Sequence, residues 1–227
     1  MATICTICAR GGSTGVARKN VRPLLGKPLI GWTIEQALSS PSIDAVYVST
    51  EDDEITEVAL EFGASVPYRR PAELATASAA KLPVIAHLIE QLETDGVDVT
   101  RIVDLDPTSP LRTGEDIETA ISLLHDDVDV VITGYPSDKN PYFNMVERKP
   151  DGTFGLVVAS DAVSRQSAPT VYAMNASIYV WHRHTFSSGL WNGRTSLYEM
   201  PRERSVDIDS ELDFRIVELL MAERGEP

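Results

Sequence analysis

Short apolar runs alternate with longer amphipathic stretches as far as Thr133. Ile4 to Ala9 is a mostly apolar run of strand length, the pattern of a strand buried on both faces. Leu29 to Leu38 has helical spacing, with Leu29, Ile30, Thr33, Ile34, Ala37 and Leu38 on one face and Pro28 at its start. Ala45 to Val48 predicts a second strand that closes at Ser49 and Thr50. Glu51 to Glu54 then opens a helix that runs to Phe62 and stops at Gly63. Ala79 to Glu93 predicts a helix and Arg101 to Leu105 a third strand. The next helix starts at Thr113 or Glu115 and turns Ile117, Ala120, Ile121 and Leu124 inward, and Val128 to Thr133 is a fourth strand. This alternation predicts an α/β fold with a Rossmann-like sheet.

The alternation stops near Gly134. Residues 135–170 are polar, with extended pieces at Tyr142 to Glu147 and Phe154 to Val158 and a turn at Asp151-Gly152, which predicts an inserted arm within one domain spanning 1–227. Arms of this kind pair subunits, so a homodimer is expected. Asn175 to Trp181 and Thr195 to Met200 predict further strands, and Ser210 to Glu223 a last helix with Ile216, Leu219 and Leu220 packed inward.

Composition narrows the function classes. At 227 residues, 43% hydrophobic and 24% charged, the chain has the makeup of an ordinary globular domain. No apolar run approaches the ~20 residues of a membrane span, and no basic region precedes an apolar one at the start, so a cytoplasmic protein with no membrane partner is expected. A net charge of −14 argues against a nucleic-acid backbone as partner. Cys5 and Cys8 are three apart on one strand, so they face opposite sides and read as small buried residues rather than a zinc or redox pair.

The candidate chemistry starts at Arg10 to Asn20, Arg-Gly-Gly-Ser-Thr-Gly-Val-Ala-Arg-Lys-Asn. Gly11, Gly12 and Gly15 are read as allowing positive φ and close approach of backbone N–H groups to an anion. Arg10, Arg18 and Lys19 add charge, and Ser13 and Asn20 add neutral donors. The spacing matches neither a Walker A loop nor a Rossmann fingerprint. The alternative is a basic surface turn after an edge strand. Glu51 to Glu54 read as a solvated helix start rather than as metal ligands. Arg69 and Arg70 either clamp phosphate or pair with Glu73. The proline-bounded loop Asp106 to Arg112 follows the third strand, where open α/β sheets place ligands. His182 and His184 read as solvated strand-end residues. Asp207 and Asp209, two apart on an extended segment, face one side and suit Mg²⁺; equally, Asp209 could cap the last helix and Asp207 be a surface charge.

Six motifs in one order extend these readings: the loop itself, Val-Ser-Thr-Glu-Asp-Asp-Glu-Ile, Arg-Pro-Ala-Glu-Leu-Ala, Asp-Pro-Thr-Ser-Pro-Leu-Arg, Asn-Ala-Ser-Ile-Tyr and Asp-Ile-Asp-Ser-Glu-Leu-Asp-Phe. Together they resemble the acylneuraminate cytidylyltransferase family over nearly the whole chain. The resemblance implies a nucleotide-diphospho-sugar transferase type of sheet with a dimerising arm. It implies transfer of CMP from CTP to a 2-keto-3-deoxy sugar acid with release of pyrophosphate. It sets Arg10, Ser13, Lys19 and Asn20 against CTP with Arg70 nearby, Mg²⁺ on Asp207 and Asp209, and the acceptor near Asp106, Thr108, Ser109, Arg165 and Asn175. Lys19, Asp207 and Asp209 are the implied catalytic set.

Four places depart from the family pattern. Thr14 stands where a lysine is usual, with Arg18 as the expected substitute, and Ala77 replaces an acidic residue. Asp106 stands where the sialic acid enzymes carry a sugar-facing glutamine, and Ala173-Met174 replace Arg-Pro. These departures imply an acceptor other than N-acetylneuraminate: another nonulosonic acid, a Kdo-like sugar or a phosphonate. A catalytically silent nucleotide-binding homologue is the remaining alternative.

Overall fold

The first strand, β1 (Ala2–Cys8), lies inside the sheet, flanked by two neighbours, in a computed structural model that describes residues 1–225. This position explains why its five middle residues are all buried and why its sequence is nearly unbroken apolar. It also removes the edge-strand alternative for the loop that follows.

The chain then forms a small ribbon, β2 (Pro23–Leu24) and β3 (Lys27–Pro28), and helix α1 (Leu29–Leu38). Next come β4 (Ala45–Ser49), α2 (Asp53–Glu61), α3 (Lys81–Thr94), β5 (Val99–Leu105), α4 (Gly114–Ser122) and β6 (Val130–Pro136). A hairpin of β7 (Val146–Arg148) and β8 (Phe154–Leu156) precedes β9 (Tyr172–His182), β10 (Thr195–Glu199) and α5 (Glu211–Glu223). The main sheet has the order β10-β6-β9-β5-β1-β4, parallel except for β9, which runs antiparallel to both β5 and β6. The mixed α/β sheet predicted from the sequence is therefore present. The carboxyl ends of β1, β4, β5 and β6 meet at one rim, where open sheets of this kind bind ligands.

Local sequence accounts for the helix limits. Asp52 caps α2 by accepting from the Ile55 N–H, and Thr113 with Asp116 forms a capping box for α4. Gly63, at φ 91°, ends the turn after α2. One face of the sheet packs on α1, α2 and α4 through Ile34, Ile55 and Ile117. The other face packs on α3 through Ile85, Leu88 and Ile89. Cys5 belongs to the first core and Cys8 to the second, both as free thiols. Among the described residues no helix is long and apolar enough to cross a membrane.

Two elements differ from the sequence reading. In α5 the buried residues are Phe214, Val217 and Met221; Leu220 is partly buried, while Ile216 and Leu219 are 38% and 60% exposed. Both stripes are apolar at helical spacing, so periodicity alone could not choose between them. The choice is made by docking onto Leu29, Trp32 and Ile208. Leu38 at the end of α1 is also exposed. In the arm, the turn at Asp151-Gly152 forms with Gly152 at φ 85°, but Pro141 to Asn144 are a turn rather than a strand. Asn140 organises that turn, its side chain accepting from the Tyr142 N–H and donating to the Pro169 carbonyl. His182 and His184 stack at 5.2 Å at the end of β9 away from the ligand-binding rim.

Candidate active site

The loop after β1 is braced by acids from the β4–α2 turn. The Gly11 N–H donates to Glu51 Oε1 at 2.8 Å. Arg18 donates to Asp52 at 2.5 and 2.9 Å and also reaches Glu54. These bonds hold the Asp52 carboxyl below its usual range. Glu51, Asp52 and Glu54 thus hold the loop's shape instead of only facing solvent, while Asp53 pairs with Arg69.

The glycines serve close approach, not the left-handed backbone expected of them. None of Gly11, Gly12 and Gly15 has positive φ; Arg18 does, at 53°. A Cβ on Gly11 would come within 2.2 Å of Asp52 Oδ2, and one on Gly15 within 1.9 Å of the Asp209 carbonyl oxygen. Gly12 has open space around its Cβ position. Arg18, tied to α2, is turned from the cleft and does not take the place left by Thr14, which lines it.

Across the cleft lies the segment before α5. Its backbone is fixed at three points. The Ile208 N–H donates to the Thr108 carbonyl at 2.9 Å, Asn175 donates to Ser205 at 3.0 Å, and Arg204 makes two bonds to the buried Asp116 at 2.8 and 2.9 Å. Ser210, not Asp209, caps α5, in a box with Asp213. Asp209 is 82% exposed, and Lys19 reaches it at 3.7 Å while donating to the Ile208 carbonyl. Asp207 Oδ1 is buried with no partner among the described residues. Burial pushes the Asp207 carboxyl up to about 6, aided by the charges of Asp106 and Asp209 and opposed by Thr108 and Lys19. Two carboxylates, one holding an unpaired buried oxygen, fit a Mg²⁺ ion, which takes few protein oxygens and fills the rest with water and phosphate. Among the described residues no group of three His, Cys, Asp or Glu side chains is arranged to hold a metal.

The two walls enclose a cleft of about 380 Å³. Arg10, Ser13, Gly15, Lys19 and Asn20 line one side, and Asp106, Thr108 and Asp209 the other. A second cavity of about 250 Å³ shares Arg10 and Asp106 and adds Arg70, Lys81 and apolar Leu74 and Val84. Arg70 is buried; it donates to the Ser49 carbonyl and hydroxyl and faces Glu51 at 3.9 Å, so neither it nor Arg69, which pairs with Asp53, engages Glu73. Asn20 donates to the Arg10 carbonyl at 3.0 Å and has a buried Oδ1 without a partner among the described residues.

The predicted acceptor residues are split. Asp106 and Thr108 line the cleft. Ser109 and Asn175 are buried behind it, Ser109 donating to the Asn175 carbonyl at 3.3 Å and Asn175 accepting from Thr133 at 2.6 Å. Arg165 sits on the exposed arm, 3.0 Å from Asp138, outside the cleft of its own chain.

Sequence reasoning missed Lys81, which bridges Asp104 at 2.7 Å and Asp106 at 3.0 Å. Burial raises the Asp106 carboxyl, but Lys81 and Thr108 outweigh it and hold it below the usual range. The available signal was Asp104-Leu105-Asp106: two carboxylates on one strand face at its buried end require a cation. Arg112 was also missed. It is fully buried and donates to the carbonyls of Asp106 and Ser177 at 2.8 and 3.2 Å and to Thr33, fixing the loop from beneath.

A sheet of this order, with a cationic loop after its first strand facing a carboxylate pair, defines a nucleotidyltransferase. The chain belongs to the cytidylyltransferase family, whose pattern matches residues 4–199. It is 40% identical over 230 residues to a CMP-N,N'-diacetyllegionaminic acid synthase of Campylobacter jejuni, covering 96% of this chain and 94% of that one. It is 37% identical over 217 residues to N-acylneuraminate cytidylyltransferase B of Danio rerio, covering 93% of this chain and 49% of the longer relative. Among solved structures it resembles a CMP:2-keto-3-deoxy-manno-octonic acid synthetase complexed with CTP, at a TM-score of 0.72 and 18% identity over 99% of this chain and all of that one. That likeness speaks for the fold.

Proposed function

We propose that this enzyme transfers CMP from CTP to the anomeric hydroxyl of a sialic-acid-like 2-keto-3-deoxy sugar acid, with release of pyrophosphate. The observation that carries the proposal is the joining of the cationic loop to Asp209, one member of the carboxylate pair, within one cleft, through Lys19 at 3.7 Å from Asp209 and Gly15 packed against the Asp209 carbonyl.

In this reading Arg10, Ser13, Lys19, Asn20 and the N–H groups of the glycine loop hold the triphosphate. Arg70 supports the nucleoside side of the site from the second cavity. Arg18 acts indirectly, by fastening the loop to α2. Asp207 and Asp209 hold Mg²⁺, which when bound offsets charge on the phosphate oxygens and lowers the barrier to loss of pyrophosphate. Lys19 sits beside the carboxylates, so it can follow the negative charge that builds on the leaving group. Positioning and charge neutralisation suffice for in-line attack by the acceptor hydroxyl, and Thr108 and Asp106 border the space it must occupy.

The acceptor we favour is an acylated nonulosonic acid other than N-acetylneuraminate, because Asp106 enters the site as an ion pair with Lys81 and one relative at 40% identity is named for diacetyllegionaminic acid. The exposed Val146 and Phe154 of the hairpin supply an apolar surface for a homodimer, which would bury them and bring Arg165 beside a neighbouring subunit. We place the reaction in the cytoplasm, where nucleoside triphosphates are available.

Pyrophosphate release tests this reading, measured with Mg²⁺, each of the four nucleoside triphosphates and a panel of sugar acids and phosphonates. Release with CTP and a nonulosonic acid is the expected result. Release with CTP and a phosphonate only would overturn the acceptor class, and release with another triphosphate would overturn the donor. Absence of both release and CTP binding would identify a silent homologue.

A further inference from the structure

Arg70 is a buried cation at the edge of the second cavity, and three consecutive residues at the end of β4 hold it. Its backbone N–H donates to the Thr50 carbonyl at 2.8 Å. Its Nε donates to the Ser49 hydroxyl at 3.1 Å, and Nη2 donates to the Ser49 carbonyl. Its Nη1 lies 3.9 Å from Glu51 Oε2, beyond hydrogen-bond distance. A guanidinium carries five N–H bonds. Two are used here, so three have no protein partner among the described residues while the side chain lines the cavity.

A buried cation requires a counter-ion, and Glu51 supplies it. Glu51 Oε1 accepts from the Gly11 N–H at 2.8 Å, and Oε2 is buried with no hydrogen-bond partner among the described residues. The two groups are held apart from opposite sides. Gly11 ties the carboxylate to the loop, and Ser49 ties the guanidinium to β4. At 3.9 Å the charges still attract, yet Glu51 takes none of the donors of Arg70.

Glu51 is also the point that two parts of the site share. Gly11 belongs to the cationic loop and follows Arg10, which lines both cavities. Arg70 lines the second cavity, and Glu51 lines neither.

We infer that Glu51 is a positioning residue that sets Arg70 and the phosphate loop in register for a single nucleotide, one oxygen serving each, without touching the substrate. The inference rests on the proposed reaction, in which the loop holds the triphosphate and Arg70 supports the nucleoside side. The two duties separate chemically. Glu51→Gln keeps an oxygen for the Gly11 N–H and loses the charge that faces Arg70. Glu51→Ala loses both.

Calorimetric titration of the wild type and the two variants with CTP, CMP and inorganic triphosphate, each with Mg²⁺, tests this. Glu51→Gln should bind CTP and CMP about tenfold more weakly and inorganic triphosphate within about threefold of the wild type. Glu51→Ala should repeat the loss for CMP and also bind inorganic triphosphate about tenfold more weakly than Glu51→Gln does. A general structural defect would weaken all three probes alike in Glu51→Gln, and that result overturns the inference. So does unchanged CMP affinity in Glu51→Gln, or equal triphosphate affinity in the two variants. A wild type that binds no CTP would overturn the proposed reaction and the inference with it. A wild type that binds CTP, with variants that break the pattern, overturns the inference alone.

Discussion

Two Asp-x-Asp pairs stand on the same side of the cleft, and their surroundings treat them differently. Asp104 and Asp106, at the end of β5, share Lys81, and Thr6 and Thr108 bond their remaining oxygens. Asp207 and Asp209, before α5, have Lys19 as their near cation among the described residues, at 3.7 Å from Asp209; Thr108 reaches Asp207, and one Asp207 oxygen is left buried and unpaired. The first pair shares a lysine in direct contact with both carboxylates, although Asp104 Oδ2 also makes no hydrogen bond among the described residues. The second is short of positive charge, which is what the proposed Mg²⁺ would supply. Each pair has one lysine, and what differs is the engagement: Lys81 reaches both of its carboxylates at 2.7 and 3.0 Å, whereas Lys19 reaches only Asp209, at 3.7 Å.

The comparison breaks most severely at Asp207. Asp207→Asn is expected to lower kcat/KM for pyrophosphate release by about a thousandfold. The same variant should be more stable than the wild type at pH 8. The folded-state value near 6 lies above the unfolded carboxylate's, so ionisation of Asp207 destabilises the fold progressively as the pH rises from the unfolded value, fully above about 6, and has no effect below the unfolded value. Removing that charge should raise Tm by roughly 2–4 °C at pH 8 and leave it unchanged at pH 3.5, as differential scanning calorimetry would show. A drop in Tm at pH 8 would mean that the carboxylate is structural.

Lys81→Met should cost about 3 kcal/mol of stability by urea denaturation, because Asp104 loses its compensating charge. The double variant Lys81→Met, Asp104→Asn should recover much of that loss. If it does not, Asp104 is not the group that requires the lysine. Gly15→Ala should reduce kcat/KM about a hundredfold with secondary structure retained by circular dichroism, since the added Cβ must displace the Asp209 carbonyl. The smallest effect distinguishes the pairs by pH. Mg²⁺ requires ionised Asp207, so its affinity in calorimetric titrations should fall roughly tenfold from pH 7 to pH 5. The Asp106 carboxyl, held below the usual range, should stay ionised over the same interval.

The sequence reveals whatever depends on near neighbours. β1, α1 and α4 follow from their own periodicity and caps, and the phosphate loop and the Asp207–Asp209 pair follow from residue type and spacing. What it hides depends on partners far along the chain. Arg18 looks like a phosphate cation until Asp52 and Glu54, on another element, claim it. Lys81 looks like an ordinary helix start until β5 brings Asp104 and Asp106 to it. The two apolar stripes of α5 are equivalent in pattern, and only packing on Trp32 and Ile208 selects one. Glycine composition drew attention to the loop, but the use of glycine at positions 11 and 15, to clear room for Asp52 and Asp209, is a tertiary fact.

Lys19 and the Ile208 carbonyl that it bonds are 189 positions apart, and Gly15 fits against the residue that follows. The loop thus lacks the Ile208–Asp209 part of its opposite wall until those residues have been made. At ~5–20 residues per second, a nascent chain emerging from the ribosome carries that loop for roughly 10–40 seconds before its counterpart exists. On the proposed reading, competence for CTP therefore cannot precede the synthesis of residues 208 and 209.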